Sequence, residues 1–412
     1  MSEEFKDPMK INDALTAILP ENNGYRFIWT NYENGEIKHT LWENIPEGFY
    51  ERRPLARAFM NNYEIEAKDC GKVLTYGPAA GGLGEAGAFK IATCGERIDS
   101  LVPYLGFKKR EMLNKAIGKE PWEALPYVER ITGQFSISYA SLFYGLVFGI
   151  DCPDYLLFAK ELERVHNHIW VMHKLAGDAS QKVANMHLAA ITEEFLRLNL
   201  KTLGHRYGMN FLRTGPRKYD KFHENLSELK KWFLETAEEL SDSRIFIDRL
   251  QTTCILKKLD ILRNDGVGIP ARASGVLRDA RKIGIFKDLY GDYSPPMESY
   301  GDSLSRFLIR VKEVEKSFEI LESIELKECK VKRNAKKDGF YEGMAEAPPG
   351  DIYMGVKIEK GRVREIIIRP PSLVMYHAFS VGIRGNVFTD FPFALDSFGA
   401  YFSDADIFGR WG

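Results

Sequence analysis

Hydrophobic positions along the chain change their spacing several times, and each change marks a different kind of element. Over roughly the first seventy residues they fall in short aromatic-rich runs. Phe27-Ile28-Trp29 is parted from the alternating Ile37-Lys38-His39-Thr40-Leu41-Trp42 by Asn34-Gly35, a hairpin signature. A second turn signal stands at Glu21-Asn22-Asn23-Gly24. The spacing predicts a small α/β or β-rich leader over 1–71. Residues 72–76, 88–93 and 98–102 read as strands, and the loop GPAAGGLGEAG (residues 77–87) separates the first two, giving a β-hairpin and glycine-loop region over 72–107. Five glycines in eleven residues allow the backbone to fold closely around something or to make a flexible crossing. No GKS or GKT ends the loop, so it does not read as a phosphate loop.

From about residue 108 to 327 apolar residues recur at helical spacing, in stretches near 121–149, 153–177, 183–207, 222–244 and 300–327, giving a helical bundle core over 108–345. Asp154 is the expected cap of the second, and Asp220 or its neighbours of the fourth. Heptads are missing, which points to a globular bundle. After a basic spacer, 330–337, short strands at 352–358 and 363–368 lead into a glycine- and aromatic-rich tail, forming a C-terminal region over 346–412. The fold class expected is α+β: a long central helical bundle, an N-terminal α/β region, a β-hairpin loop region and a small C-terminal β-containing segment.

Composition narrows the function classes. A net charge of −1 over 412 residues offers no general attraction to nucleic acid or anionic lipid. The start MSEEFKDPMK lacks a basic segment followed by an apolar run, and no stretch approaches the roughly 18 apolar residues needed to span a bilayer. A cytosolic or peripherally bound protein is expected. Cys70, Cys94, Cys152, Cys254 and Cys329 are isolated, with no CxxC pair, and read as reduced structural thiols.

Three constellations carry candidate chemistry. In ELERVHNH (161–168), Glu161, Arg164 and His168 stand three and four residues apart, a polar stripe on a helix side that also holds Leu157, Val165 and Met172. Buried ionisable groups must pair, so the stripe is either a strut tying helices together or a proton or substrate relay. Glu163 and His166 point elsewhere and are expected in solvent. His166 and His168 diverge too far on a helix to chelate one metal. The run ARASGV (271–276), with Arg278, Asp279 and Arg281, can position anions or lock a neighbouring helix, and locking is the safer reading. In EAPPGD (346–351) and RPPS (369–372) prolines make rigid corners, and Arg369 is placed to reach a central cavity.

In order, the series GPAAGG…E, LPYVERITG, ELERVHNH, ARASGV, EAPPGD and RPPS resembles the large subunits of group 4, energy-converting nickel–iron hydrogenases and the 49 kDa-type large subunit of respiratory complex I. The resemblance covers roughly residues 72 to 412. Hydrogenases hold their nickel–iron centre with the cysteines of RICGxC and DPCxxC. In RITGQF (130–135) and DADIFG (404–409) those places fall to Thr132, Phe135, Asp406 and Gly409. Neither a hydroxyl nor a phenyl ring replaces a soft thiolate on nickel. The complex I branch reads GPQHPxxHG in the glycine loop and has a tyrosine where Gly133 stands, so both familiar quinone partners are missing. Glu85 aligns with a loop glutamate of group 4 hydrogenases that is thought to pass protons.

The resemblance implies a cysteine-less, hydrogenase-related subunit of a membrane-bound, ion-pumping redox complex, peripheral on the cytoplasmic side of the membrane. Its expected partners are an iron–sulfur small subunit, a further hydrophilic-arm subunit and antiporter-like membrane subunits, with no nucleic acid. No cofactor is expected in this chain; the cluster belongs to the small subunit. Arg130, Thr132 and Gln134, with Asp404 and Asp406, would line the old metal site. Glu85, Glu161, Arg164 and His168 would move protons or couple charge. Magnesium or manganese on Asp404, Asp406 and Thr132 is the less favoured use of these oxygens. Two alternatives remain: a non-catalytic connector with the site filled by Phe135, Tyr139 and Phe408, or a quinone-type oxidoreductase subunit with an altered quinone site.

Overall fold

The computed structural model describes residues 13–61, 65, 67, 71–107, 110–326 and 329–412. It mixes helix and sheet. Strands β1 (Asp13–Glu21), β2 (Gly24–Asn31) and β3 (Ile37–Trp42) form an antiparallel meander, with both predicted turns in place. Six successive residues of β1, Ala14 to Leu19, are buried, so this strand is covered on both faces, while β3 at the sheet edge is largely exposed. Buried polar ties dock it on the body: Arg53 pairs with Asp265 at 2.7 Å, and Tyr32 donates to Asp351 at 2.8 Å.

Strands β4 (Lys72–Tyr76), β5 (Ala88–Cys94) and β6 (Arg97–Tyr104) make a second antiparallel sheet. The glycine loop joins β4 to β5, and its base explains its composition. A side chain on Gly77 would meet the Gly87 carbonyl at 2.2 Å, and one on Gly87 would strike the Phe402 ring at 2.3 Å. Because glycine removes both obstacles, the loop lies flat on the C-terminal tail. The third sheet, in the order β10 (Gly409–Trp411), β9 (Arg362–Arg369), β8 (Asp351–Glu359), β7 (Gly339–Glu346), is also antiparallel. Glu346, read from sequence as a corner residue, ends β7.

The principal helices are α1 (Pro121–Val128), α2 (Ser136–Val147), α3 (Pro153–Asp178), α4 (Lys182–Leu203), α5 (Phe222–Asp242), α6 (Ser303–Ser323) and α7 (Pro371–Gly382). Helix α3 packs against α4 and α6, and most of its residues are buried. The expected caps are not used. Cys152 caps α3 in a left-handed conformation ahead of Pro153, which its fixed φ suits to the first helical position, and Lys221 precedes α5; neither gives a side-chain cap.

Cysteine chemistry also departs from the sequence reading. Cys152 and Cys329 form a disulfide across 177 residues of sequence, Cys94 is disulfide-bonded, and Cys254 is a buried free thiol. Cys70 lies outside the described residues. Spacing along the chain carries no record of such a pairing, because it depends on where the 329 segment returns to the start of α3. Among the described residues no helix is long and apolar enough to cross a membrane.

Candidate functional site

A cavity of about 330 Å³ opens between the glycine loop, the turn before α2, one side of α3 and the tail around Tyr401. Segments distant in sequence build its wall. Glu85 is presented by the loop, and the Phe402 contact fixes what it meets: Ser403 donates its backbone N–H to Oε2 at 2.7 Å and its hydroxyl to Oε1 at 2.6 Å. A carboxylate so held is a positioned acceptor at the cavity wall.

Thr132 and Gln134 also reach the wall. The Thr132 hydroxyl accepts from the Gln134 N–H at 3.4 Å and caps the single 3₁₀ turn Gly133–Phe135, while the Gln134 side-chain oxygen accepts from Asn167 at 3.3 Å. Phe135 is buried edge-on to Tyr401, with ring centroids 5.4 Å apart. The cavity is therefore not plugged by Phe135.

Other wall residues were invisible to sequence reasoning. Tyr376 and Tyr401 carry hydroxyls whose pKa values burial raises, reinforced by the negative charges of Glu85 and Asp396. Lys174 pairs with Asp396 at one edge. Behind this pair, burial and then the Asp396 charge push Asp178 up to about 7. Arg110 stands at the rim and donates to the Ile131 carbonyl at 3.2 Å. One signal was present in sequence: Asn167, Trp170, Lys174 and Asp178 continue at steps of three and four on α3 beyond ELERVHNH.

Three sequence candidates lie off the wall. Arg130 turns away and donates to the Pro126 carbonyl at 2.8 Å and to Glu129 at 2.5 Å. Asp404 is fully buried behind the wall, where Tyr139 donates to it at 2.5 Å and the Ser372 N–H at 3.0 Å. Burial raises its pKa to about 6 against those hydrogen bonds. Asp406 accepts from the Gly106 N–H at 2.7 Å. The last turn of the tail directs both carboxylates to backbone donors, so Asp404, Asp406 and Thr132 do not converge as an oxygen cage. Among the described residues no group of His, Cys, Asp or Glu is arranged to hold a metal.

Glu161, Arg164 and His168 form a second, fully buried group. Arg164 donates to Glu161 at 3.3 Å, as the spacing predicts, but His168 meets Glu313 of α6 at 2.9 Å. Glu313 also receives Arg272 at 2.7 Å and Arg281 at 2.6 Å, and Arg272 continues to Asp279 and Glu346, both at 2.9 Å. Tyr290 and Ser317 donate to Glu161, each at 2.6 Å. The ARASGV arginines thus lock α3, α6 and β7 together. Burial pushes Glu313 up, yet Arg281, Arg272 and the His168 hydrogen bond outweigh it and hold its carboxyl well below the usual range. Burial lowers His168 to about 4, so this imidazole is neutral near pH 7.

Two expectations fail outright in this region. Glu163 and His166 are buried, because α3 is covered nearly all round rather than on one stripe. Glu163 accepts from the Ile137 and Ser138 N–H groups at 2.6 and 3.0 Å, fixing the start of α2, and burial raises it to about 7. Arg369 does not reach the cavity; it forms a buried pair with Asp351 at 2.6 Å.

A mixed helix-and-sheet subunit with a polar cavity at the junction of glycine loop, 130s turn and C-terminal tail has counterparts among respiratory proteins. Residues 184–340 match the family described as respiratory-chain NADH dehydrogenase, 49 Kd subunit. An NADH-quinone oxidoreductase subunit of Chloroherpeton thalassium is 24% identical over 362 residues, 76% of this chain and 82% of that protein. The mitochondrial NADH-ubiquinone oxidoreductase 49 kDa subunit of Neurospora crassa is 23% identical over 362 residues, 76% of this chain and 75% of the other. A chain from a solved structure of the membrane-bound sulfane sulfur reductase, an archaeal respiratory membrane complex, superposes with a TM-score of 0.73 at 20% identity, covering 84% of this chain and 100% of that one. The chain is thus similar in sequence to complex I 49 kDa-type subunits and in fold to a chain of a respiratory membrane complex.

Proposed function

We propose that this chain is the large subunit of a membrane-bound respiratory complex and forms, with a small subunit carrying an iron–sulfur cluster, the pocket in which a small polar substrate other than hydrogen exchanges electrons. The observation that carries the reading is the open cavity. Hydroxyl, amide and carboxylate groups line it, in the segments where the resemblance implies a metal or a quinone headgroup, and this disfavours a connector with a filled site.

The wall does not suit a nickel–iron centre: Phe135 packs on Tyr401, Asp406 bonds a backbone amide, and Gly409 lies in β10. Hydrogen bonding is what these groups supply. Tyr376, Tyr401 and Gln134 are placed to orient an acceptor and to stabilise charge developing on it, and Glu85 to deliver or take up a proton. The Glu161–Arg164–His168–Glu313 group is a buried charge network separate from the cavity wall, suited to carry the electrostatic consequence of turnover toward ion-translocating membrane subunits.

The test is turnover of the purified complex with a panel of donors and acceptors, sulfur–sulfur compounds and quinones included, together with metal analysis. Glu85→Gln is expected to lower turnover by about 10²-fold, the usual effect of losing a positioned proton-transfer group, without loss of the assembled complex. Stoichiometric nickel copurifying with this chain, or undiminished turnover in Glu85→Gln, sinks the reading.

A further inference from the structure

Beside the main cavity lies a second chamber of about 220 Å³, and Gln134, Trp170 and Tyr207 belong to the walls of both. Its inner wall carries His166, a side chain only 2% exposed. The His166 Nδ1 is 3.0 Å from the Leu162 carbonyl one turn earlier on α3, and the Tyr207 ring stands edge-on to the imidazole. A carbonyl only accepts, so Nδ1 carries the hydrogen and Nε2 is left as a bare lone pair. Asn199 Nδ2 also lies 3.3 Å from Nδ1, but it has the Arg206 carbonyl as a better-placed acceptor at 3.0 Å. Nε2 itself has no hydrogen-bond partner among the described residues.

A buried acceptor left unpaired costs free energy unless something brings a hydrogen to it. Burial lowers His166 to about 4, against the help of the Leu162 carbonyl, so the ring remains an acceptor near neutrality. Among the described residues the only charges in the chamber wall, Glu193 and Arg206, are paired with each other at 2.6 Å. Leu196, Ala189 and Trp170 supply apolar wall.

We propose that this chamber binds a small neutral molecule with an O–H or S–H group, which donates to His166 Nε2. The chemistry gives the site a direction. Two-electron reduction of a carbonyl or a sulfur–sulfur bond, with uptake of two protons, creates O–H or S–H groups, while the oxidised forms carry none. A lone acceptor next to the main cavity therefore favours the reduced member of the substrate pair and makes the chamber a station for it on the way in or out. The binding claim stands on the chamber alone; the redox meaning rests on the function proposed above.

Diethyl pyrocarbonate acylates a neutral imidazole nitrogen that it can reach, and peptide mass spectrometry of the treated complex reads the modified histidine. His166 is expected to react while His168, which is fully buried and lines neither chamber, does not. Phenol is expected to slow acylation of His166 about fivefold more than anisole at equal concentration, the difference that one hydrogen bond makes. No acylation of His166, or equal protection by phenol and anisole, overturns the proposal. The same contrast is expected in Glu85→Gln, so failure of the cavity reading is seen in turnover and failure of this one in protection.

Discussion

Two buried arginines on neighbouring elements illustrate how much depends on partners rather than on residue type. Arg272 is surrounded by Asp279, Glu313 and Glu346, whereas Arg310 has one hydrogen bond, to the Arg306 carbonyl at 3.1 Å, and an Nε without a partner among the described residues. Burial, with the Arg306 charge, pushes Arg310 down to about 9. Arg272→Met is expected to cost about 3–5 kcal/mol, because it strands carboxylates in the interior, while Arg310→Met is expected to be neutral or stabilising. Denaturant unfolding of the two variants measures this, and a similar loss in both refutes the account. The sequence marked Arg272 as a lock but carried nothing that distinguished Arg310, since pairing is decided by what faces each guanidinium from other elements.

At the scale of elements, local pattern and tertiary demand agree where the backbone is most constrained. The short helix Gly268–Ala273 begins with Gly268 at a φ of 64°, and a Cβ there would lie 2.2 Å from the Pro349 carbonyl oxygen of the proline corner. Only glycine permits both the left-handed backbone and the approach that brings Arg272 to Glu346. Gly268→Ala is expected to destabilise by about 2 kcal/mol or more and to broaden the unfolding transition of the lock; a thermal shift within error of the parent contradicts it. The strands and long helices were legible because their periods are local. Burial of Glu163 and His166 was not, because α3 is covered by α4, α6 and α2 together, and no single helix face records that. The missed β7 has the same origin: its inner half is buried and its outer half exposed, so no clean alternation announces it.

For the whole molecule, the decisive feature is that segments far apart in sequence leave a cavity open where they meet. Gly133 lies on its wall with nothing within 4 Å of a Cβ placed there. Gly133→Trp is therefore expected to fill the cavity while leaving stability within about 0.5–1 kcal/mol of the parent, and to abolish turnover of the assembled complex. Full activity in a folded Gly133→Trp complex would remove the cavity from the mechanism. By itself the sequence determined the order of most elements, the series of motifs, the glutamate at the end of the glycine loop and the identities of Thr132, Phe135, Asp406 and Gly409 in RITGQF and DADIFG. Only the tertiary structure decided which of those groups share a wall: Glu85, Thr132 and Gln134 do, Arg130, Asp404 and Asp406 turn to other partners, and Tyr376, Tyr401, Lys174 and Asp396 join unannounced. The physical reason is that periodicity fixes which way a side chain leaves its own helix or strand, whereas the meeting of Glu85 with Ser403, 318 residues apart, depends on two glycines letting a loop rest on a phenyl ring.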